Sequence, residues 1–232
     1  GGIVFGGGSG TNRTVTITPA TNQIGTTMIT ITAADTDGGT NNISFTLFVN
    51  SPPAISAISN QTTNEDQVVG PLAFTIGDVE TPADALTLWA ASTNATLLPT
   101  NNIVFGGSSS NRTVTVTPAT NQFGTTLITL TVDDGASGTG SVALLVTINP
   151  VNDPPIANDD SATTPEDTPL TMDPLPNDTD VDGDTLTITD AIATNGIVNI
   201  LGGTNLVFTP ATNFHGLATI HYAITDGHGG VA

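Results

Sequence analysis

Apolar and hydroxyl-bearing side chains alternate along much of the chain. The segments Thr14 to Thr18, Thr113 to Thr117 and Thr126 to Val132 carry Val, Ile or Leu at every second position, mostly with threonine between. A period of two puts one set of side chains on the buried face of a strand and the other set in water. The same pattern occurs in Thr27 to Thr32, Ser44 to Val49, Val142 to Ile148 and Thr185 to Thr189.

Turn-forming residues separate these predicted strands. Gly-Gly, Asp-Gly and Pro-Ala-Thr-Asn stand between the apolar runs. No segment carries a sustained helical period with capping residues, so we expect almost no helix. Several short antiparallel strands per hundred residues, each with one polar face, predict an all-β fold of β-sandwich domains.

The chain also repeats itself with a period close to one hundred residues. Ile3 to Gly7 recurs as Ile103 to Gly107, and Asn12 to Gln23 recurs as Asn111 to Gln122 with a single change. A looser third copy runs from Phe208 to Gly216. Periods of this length indicate repeated whole domains rather than a solenoid of small units.

Paired prolines mark the expected domain boundaries. Ser51-Pro52-Pro53 and Asn152-Asp153-Pro154-Pro155 each follow a predicted strand and stiffen the connection. We therefore expect three sandwich domains in tandem, in an extended array. They are the C-terminal half of one domain at 1–50, a complete domain at 51–151, and a domain at 152–232 that lacks its last strand.

Composition excludes several classes of partner. The formal net charge is −19, because 21 acidic residues face only Arg13 and Arg112. Nucleic acids and anionic membrane surfaces are bound through cationic side chains, so neither is expected as a partner. The chain has no cysteine, hence no disulfide, and no apolar run approaches the ~20 residues of a membrane helix, so this segment should not insert into a membrane.

One loop concentrates acidic side chains. Asp178, Asp180, Asp182 and Asp184 alternate with other residues, and Gly183 permits a tight turn. Calcium prefers about six to eight hard oxygen ligands, so this spacing predicts a calcium site. The alternative interpretation is a solvated acidic turn that binds no metal.

Other acidic and amide side chains could complete the coordination. Those of the third domain lie in or beside its loops and the preceding linker, and are Glu166, Asn152, Asp153 and Asp226. Their counterparts in the second domain are sparser, and a calcium site there is an open alternative. They are Glu65, Asp78, Glu80 and Asp134.

The sequence carries no sign of catalysis. It has no nucleophile elbow, phosphate-binding loop or His-Glu-x-x-His motif, so we expect no enzyme. His215, His221 and His228 have a spacing that fits no zinc motif. Trp89 stands between Leu88 and Ala90, which favours a place in the core.

These motifs resemble a known group of repeats. The loop from Asn177 to Thr189 and the turn from Asp226 to Gly230 resemble the cadherin-like repeats of giant bacterial surface proteins. Four other segments look like the related Ig-like repeats and their usual junction. They are Asp78 to Pro82, Asn111 to Ala119, Asn121 to Thr125 and, at the junction, Val151 to Pro155.

The resemblance implies Ig-like domains at 1–50 and 51–151, a cadherin-like domain at 152–232, and calcium near the domain junctions. Matching positions carry the calcium to Glu166, Asp178, Asp180, Asp182, Asp184, Asp226, Asn152 and Asp153. The first junction, Asn50 to Pro53, departs from the pattern because it lacks the aspartate.

Repeats of this kind serve as spacers in adhesins, biofilm matrix proteins and sheaths. We therefore expect a secreted bacterial surface protein whose domains form a calcium-stiffened stalk for adhesion or biofilm tethering. The alternative is a self-assembling extracellular filament or sheath, in which chains complete one another's domains. Expected partners are adjacent repeats, other copies of the chain in a fibre, and a glycan or surface receptor bound through regions outside this chain.

Overall fold

The computed structural model describes residues 1–8 and 11–232 and divides the chain into two compact units, Gly1–Asn149 and Pro150–Ala232. Its regular structure there is almost entirely β, with two single-turn 3₁₀ helices at Thr100–Asn102 and Leu175–Asn177. The first unit contains β1 (Gly2–Gly6), β2 (Thr14–Thr18), β3 (Gly25–Ala34), β4 (Thr40–Val49), β5 (Ala54–Ile55), β6 (Gln61–Asn64), β7 (Val69–Gly77), β8 (Thr87–Ser92), β9 (Ile103–Ser108), β10 (Asn111–Val116), β11 (Gly124–Asp133) and β12 (Thr139–Asn149). The second unit contains β13 (Leu170–Met172), β14 (Thr187–Ala193), β15 (Gly196–Leu201), β16 (Asn205–Pro210) and β17 (Ile220–Thr225).

Two four-stranded sheets form a sandwich in residues 51–149. One sheet has the order β5-β7-β10-β9 and the other the order β6-β12-β11-β8. The pairs are antiparallel except for β6 and β12, which run parallel from Gln61 opposite Val146 to Asn64 opposite Asn149. This parallel pair joins the beginning of the sandwich to its last strand.

The core of this sandwich follows from the alternation of side chains. On β11, Ile128, Leu130 and Val132 are fully buried, while Leu127, just before them, is exposed. The buried set continues on both sheets and in the segment between β8 and β9. It includes Phe74, Ile76, Leu97, Leu98, Val114, Val116, Leu144, Val146 and Ile148.

The first 49 residues repeat part of this arrangement. The β1–β2 pair has the antiparallel register of the β9–β10 pair, and the β3–β4 pair has that of the β11–β12 pair. For example, Gly25 lies opposite Val49, and Gly124 lies opposite Ile148. The sequence repeat is therefore a repeat of strand pairing.

The second unit packs a β13-β16-β15 sheet against the β14–β17 pair. Its fully enclosed core is small and consists of Ile188, Leu206 and Ile224, with Met172 and Tyr222 partly buried against them. Isolated bridges add Ile156 opposite Thr179 and Thr225 opposite Val231. Fewer apolar side chains are buried here than in the preceding sandwich. Side-chain hydrogen bonds are therefore a larger part of the contacts that hold this unit together.

The all-β tandem fold predicted from the sequence is confirmed, and six of the seven predicted strands lie within or almost within observed ones. The seventh, Thr185 to Thr189, is displaced, because β14 begins at Thr187 after the acidic turn and continues to Ala193. The domain boundaries near residues 50 and 151 stay a prediction.

The prediction that Trp89 belongs to the core is wrong. Trp89 lies on the outer face of β8 opposite Thr131 and is 45% exposed. Its neighbours Leu88 and Ala90 point the other way and pack against the core. Alternate residues of a strand face opposite sides of the sheet, so either Trp89 or its two neighbours could face the core. In this strand Leu88 and Ala90 do.

The Leu130→Ala substitution should destabilise the complete sandwich by about 2–5 kcal/mol, because it leaves a cavity at a fully buried position. Leu127→Ala, three residues earlier on the outer face of the same strand, should cost less than about 1 kcal/mol. Urea unfolding followed by the fluorescence of Trp89, the single tryptophan, reports on this sandwich. Equal losses for the two variants would contradict the assigned faces.

Candidate metal centre

Three aspartates converge in the second unit, in the turn between Thr179 and β14. One carboxylate oxygen from each of Asp180, Asp182 and Asp184 lies within 4.8 Å of the others. We call these three residues the acidic cluster. The convergence predicted from their spacing is present in the fold, and the question is what holds like charges together.

Backbone hydrogen bonds shape the turn that carries the acidic cluster. Asp180 Oδ1 accepts the N–H groups of Asp182 at 2.9 Å and of Asp184 at 3.2 Å. Gly183 has a φ of +79°, a conformation that a side chain would strain. From the linker, the N–H of Asp153 donates to Asp182 Oδ2 at 2.8 Å. The linker and the turn are thus joined at the cluster.

Two oxygens at this place are buried and have no hydrogen-bond donor within the described structure. They are Asp180 Oδ2 and Asp153 Oδ2. Residues 150–232 contain no lysine or arginine, and the ion pair present is between His228 Nδ1 and Asp184 Oδ2 at 2.9 Å. Burying an unpaired carboxylate oxygen is costly, so the donor set fits a bound cation.

A second acidic turn fastens the linker. Asp226 is 3% exposed, and its Oδ1 accepts the N–H groups of His228, Gly229 and Gly230 at 2.7–3.0 Å. Its Oδ2 accepts the side-chain amide of Asn152 at 2.8 Å. A Cβ atom on Gly230 would lie 2.1 Å from Asp226 Oδ2, which explains the glycine. We call this asparagine-to-aspartate contact the linker hook.

The complete sandwich contains the same hook. Asn50 donates to Asp134 Oδ2 at 2.5 Å, and Asp134 Oδ1 accepts the N–H groups of Ala136 at 2.6 Å and Gly138 at 2.9 Å. Asp134 is almost fully buried, like Asp226. A Cβ on Gly138 would meet both members of the hook.

An acidic turn beside this hook corresponds to the acidic cluster. Asp78 Oδ1 accepts the N–H groups of Glu80 at 2.9 Å and Thr81 at 2.7 Å, and Ser51 Oγ donates to Glu80 Oε2 at 2.8 Å. Asn50 Oδ1, Asp78 Oδ2 and Glu80 Oε1 are buried without a donor in the described structure. This turn therefore also offers unpartnered oxygens to a cation.

The two places correspond residue by residue. Asn50, Ser51, Asp78 and Glu80 each stand 102 residues before Asn152, Asp153, Asp180 and Asp182. Asn50 is not among the ligands predicted from the sequence, although its counterpart Asn152 is. The signal that could have found it is this constant offset.

The remaining predicted ligands lie elsewhere. Asp178 is buried and its Oδ1 accepts the N–H of Asn158 at 2.7 Å. Glu166 precedes Asp167, whose side chain accepts the N–H of Asn213 at 2.8 Å, at the end of the strands opposite Asp226. The structure thus does not bring Glu166 to the acidic cluster.

Glu65 also lies away from the hook of its own sandwich. It is buried at the end of β6, and its N–H donates to the carbonyl of Asn149 at 2.9 Å. Asn149 ends β12, whereas Asn50 and Asp134 lie beside the beginning of that strand. Glu65 is therefore at the opposite end of the sandwich from Asp78 and Glu80.

A family model described as "Bacterial Ig domain" matches residues 50–147 and 152–232. The chain belongs to the bacterial Ig domain family. Both copies of the bacterial Ig domain contain one linker hook and one acidic turn. No curated protein sequence matches the chain at a significant level.

Several solved structures are similar to the chain at low sequence identity. The titin domains z1z2 in complex with telethonin are 11% identical to this chain. The match covers 80% of this chain and 94% of the titin chain, with a TM-score of 0.35. Protocadherin Gamma B2 extracellular cadherin domains 3-6 are 16% identical over 96% of this chain and 62% of theirs, with a TM-score of 0.34. Domains 4 and 5 of the S-layer protein SbsC are 16% identical over 59% of this chain and 80% of theirs, with a TM-score of 0.30.

Bacterial Ig domains are typical of structural or adhesive regions of surface and extracellular proteins, and Ig-like and cadherin-like families are generally not enzymes.

Among the described residues, no helix has the length and apolar character needed to cross a membrane. The two arginines make no ion pair there; Arg112 donates to the carbonyl of Ala83 at 3.1 Å and Arg13 to that of Gly8.

The linker hook makes the bacterial Ig domains sensitive to acid. The amide of Asn152 holds the pKa of Asp226 below its ordinary value, against the opposing effect of burial, and the N–H groups of the turn lower it further. Asn50 acts in the same way on the pKa of Asp134. A depressed folded pKa contributes stability that is complete above the unfolded pKa of about 4 and is lost as pH falls through the folded pKa.

The Asn152→Ala substitution should raise the pKa of Asp226 and shift the acid-induced loss of stability of the second unit to higher pH. Carbon NMR of the Asp226 carboxyl group and thermal unfolding in calcium-free buffer, both across the acid range, measure the two effects. Asn199→Ala, which removes an exposed amide on β15, is the control. Coincident titration curves for Asn152→Ala and the unsubstituted chain would show that the amide does not set this pKa.

Proposed function

We propose that this chain is a calcium-stiffened structural segment of a bacterial surface protein, which spaces an adhesive or tethering region from the cell. The observation that supports this function is the presence, in both bacterial Ig domains, of buried oxygens without a hydrogen-bond donor in the acidic turn and in the linker that the hook fastens. A cation there binds the domain and the residues that lead into it at once.

The residues proposed to hold calcium differ between the two places. In the second unit they are the acidic cluster and Asp153, which offer four carboxylates. In the complete sandwich they are Asp78, Glu80 and Asn50, with two carboxylates and an amide oxygen. Calcium takes about six to eight oxygens and tolerates irregular geometry, so water completes the shell. When bound, the ion neutralises carboxylates that otherwise repel one another.

Fixing the linker is the mechanical effect of this binding. Each Pro-Pro pair already restricts the backbone, and the hook adds one hydrogen bond from the residue two positions earlier. A cation that bridges Asp153 and Asp180 would remove the freedom that the linker retains. We therefore expect calcium to order the start of each domain.

Calcium should stabilise the second unit against heat. At a concentration about one hundred times its dissociation constant, a ligand adds about 2.7 kcal/mol, which raises the Tm of a domain of this size by on the order of 10 °C. The double substitution Asp180→Asn, Asp182→Asn should abolish this gain, because it removes two of the proposed ligands. Calorimetric melting in millimolar calcium and in excess chelator measures both.

A matched control keeps the same charge change away from the acidic cluster. Asp173→Asn with Asp190→Asn neutralises two exposed carboxylates of the same unit, and it should leave the calcium-dependent rise in Tm intact. Identical melting of the unsubstituted chain in calcium and in chelator would reduce the acidic cluster to a solvated turn.

A self-assembling filament or sheath is the second candidate function. It is favoured by a cavity of about 800 Å³ in the second unit, with Met172, Phe208 and Phe214 in its wall, beside β17. A segment of another chain could bury apolar side chains in this cavity.

Light scattering after size exclusion distinguishes the two functions. The stalk predicts a species with the mass of one chain in calcium across a wide concentration range. A filament predicts higher assemblies whose mass grows with concentration, because strand addition between chains obeys mass action. Loss of those assemblies in the variant His221→Lys would indicate that the contact between chains lies beside β17.

A further inference from the structure

A polar pair lies inside the second unit at positions where the preceding sandwich has apolar side chains. Asp178 and Tyr222 correspond by the repeat to Ile76 and Leu130, both in the apolar core of the complete sandwich. Asp178 is only 8% exposed. An aspartate at a core position costs stability unless its oxygens are hydrogen-bonded, so its contacts show what it does.

The carboxylate of Asp178 contacts two groups of the sandwich. Oδ1 accepts the N–H of Asn158 at 2.7 Å, and Oδ2 lies 3.3 Å from the hydroxyl of Tyr222. The single proton of that hydroxyl is shared among three acceptors, because the carbonyl of Asn158 and Asp160 Oδ2 each lie 3.1 Å from it. Burial and then the charge of Asp178 raise the pKa of Tyr222 above its ordinary value.

The pair closes a larger set of contacts between residues 156–159 and 177–179. Ile156 and Thr179 exchange backbone hydrogen bonds at 2.7 and 3.0 Å. Asn158 donates its amide to the carbonyl of Asn177 at 2.7 Å, and Asn177 donates to that of Asp159 at 3.2 Å. The first segment begins three residues after Asp153, and the second ends one residue before Asp180. The contacts therefore hold the two chain segments that lead to the acidic cluster.

We propose that Asp178 and Tyr222 are positioning residues for calcium, which fix the start of the acidic turn so that its carboxylates converge before the ion arrives. This inference rests on the proposed calcium function. It assigns to Asp178 a supporting role in place of the ligand role predicted from the sequence. The physical reason is preorganisation, since a turn that is already held in place loses less freedom on binding.

A merely structural role would have a different signature. If the pair only filled space, removing the hydroxyl would lower the Tm in chelator and leave the calcium affinity of the folded chain unchanged. If the pair positions the turn, the affinity itself falls, since partners behind the ligands of a metal typically contribute tenfold to a hundredfold in affinity.

Tyr222→Phe removes the hydroxyl and keeps the ring. The test uses the full chain with Asp78→Asn and Glu80→Gln, so that calorimetric titration with calcium reads the second unit alone. We expect Tyr222→Phe to weaken calcium binding about tenfold or more, at a temperature where melting shows every variant to be folded. Thr189→Val, which deletes an exposed hydroxyl that contacts the Ala223 carbonyl on the same strand pair, should not change the affinity.

Asp178→Asn separates a positioning residue from a ligand. Asparagine can still accept the N–H of Asn158 and hydrogen-bond to the tyrosine, so a positioning residue predicts a smaller loss than in Tyr222→Phe. A direct ligand predicts the reverse order, because the substitution removes a coordinating charge.

The outcomes bear separately on the two proposals. The parent chain is the one that carries only Asp78→Asn and Glu80→Gln. If it binds calcium and Tyr222→Phe binds calcium with the same affinity, the positioning role is overturned and the proposed function stands. A greater loss in Asp178→Asn than in Tyr222→Phe overturns it too, in favour of the ligand role. Absence of calcium binding by the parent chain overturns the positioning role together with the proposed calcium site of the second unit.

Discussion

The repulsion between crowded carboxylates governs the arrangement of the second unit. Oxygens of the acidic cluster lie within 4.8 Å of one another, and at an effective dielectric of about 20 each pair of charges repels by roughly 3–4 kcal/mol. Residues 150–232 hold no lysine or arginine to offset this. Hydrogen bonds therefore hold these residues in place. They come from the N–H groups of the turn, from the N–H of Asp153 in the linker, and from the contacts of Asp178 just before the turn.

The two bacterial Ig domains solve the same problem with different side chains. The complete sandwich has a large apolar core, and its acidic turn follows Ile76, a core residue. The second unit encloses fewer apolar side chains and anchors its acidic turn through Asp178 instead. Serine also stands at position 51 where the later linker has Asp153. The site proposed in the complete sandwich therefore has fewer charged ligands than that of the second unit, and the affinity of calcium sites depends on this number.

Sequence reasoning succeeded where a feature depends on neighbours in the chain. The strand alternation, the repeat and the converging aspartates of the acidic cluster are all set by local spacing. It failed where pairing between distant strands decides the result. Trp89 lies in an apolar run whose phase is fixed by its register with β11, and Glu166 lies at the far end of its unit, where the neighbouring Asp167 accepts the N–H of Asn213. Neither can be inferred from residue type and spacing alone.

The parallel pairing of β6 and β12 determines how the complete sandwich responds to a pulling force. The chain passes through the short β5 into β6 and leaves at the end of β12, and β6 and β12 run in the same direction with four residue pairs between them. Tension applied to the two linkers therefore slides one strand along the other. Hydrogen bonds loaded in this shear geometry must break together rather than one after another, so rupture requires a larger force than the opening of a hairpin from its end. The same sandwich can be modest in equilibrium stability and still resist extension.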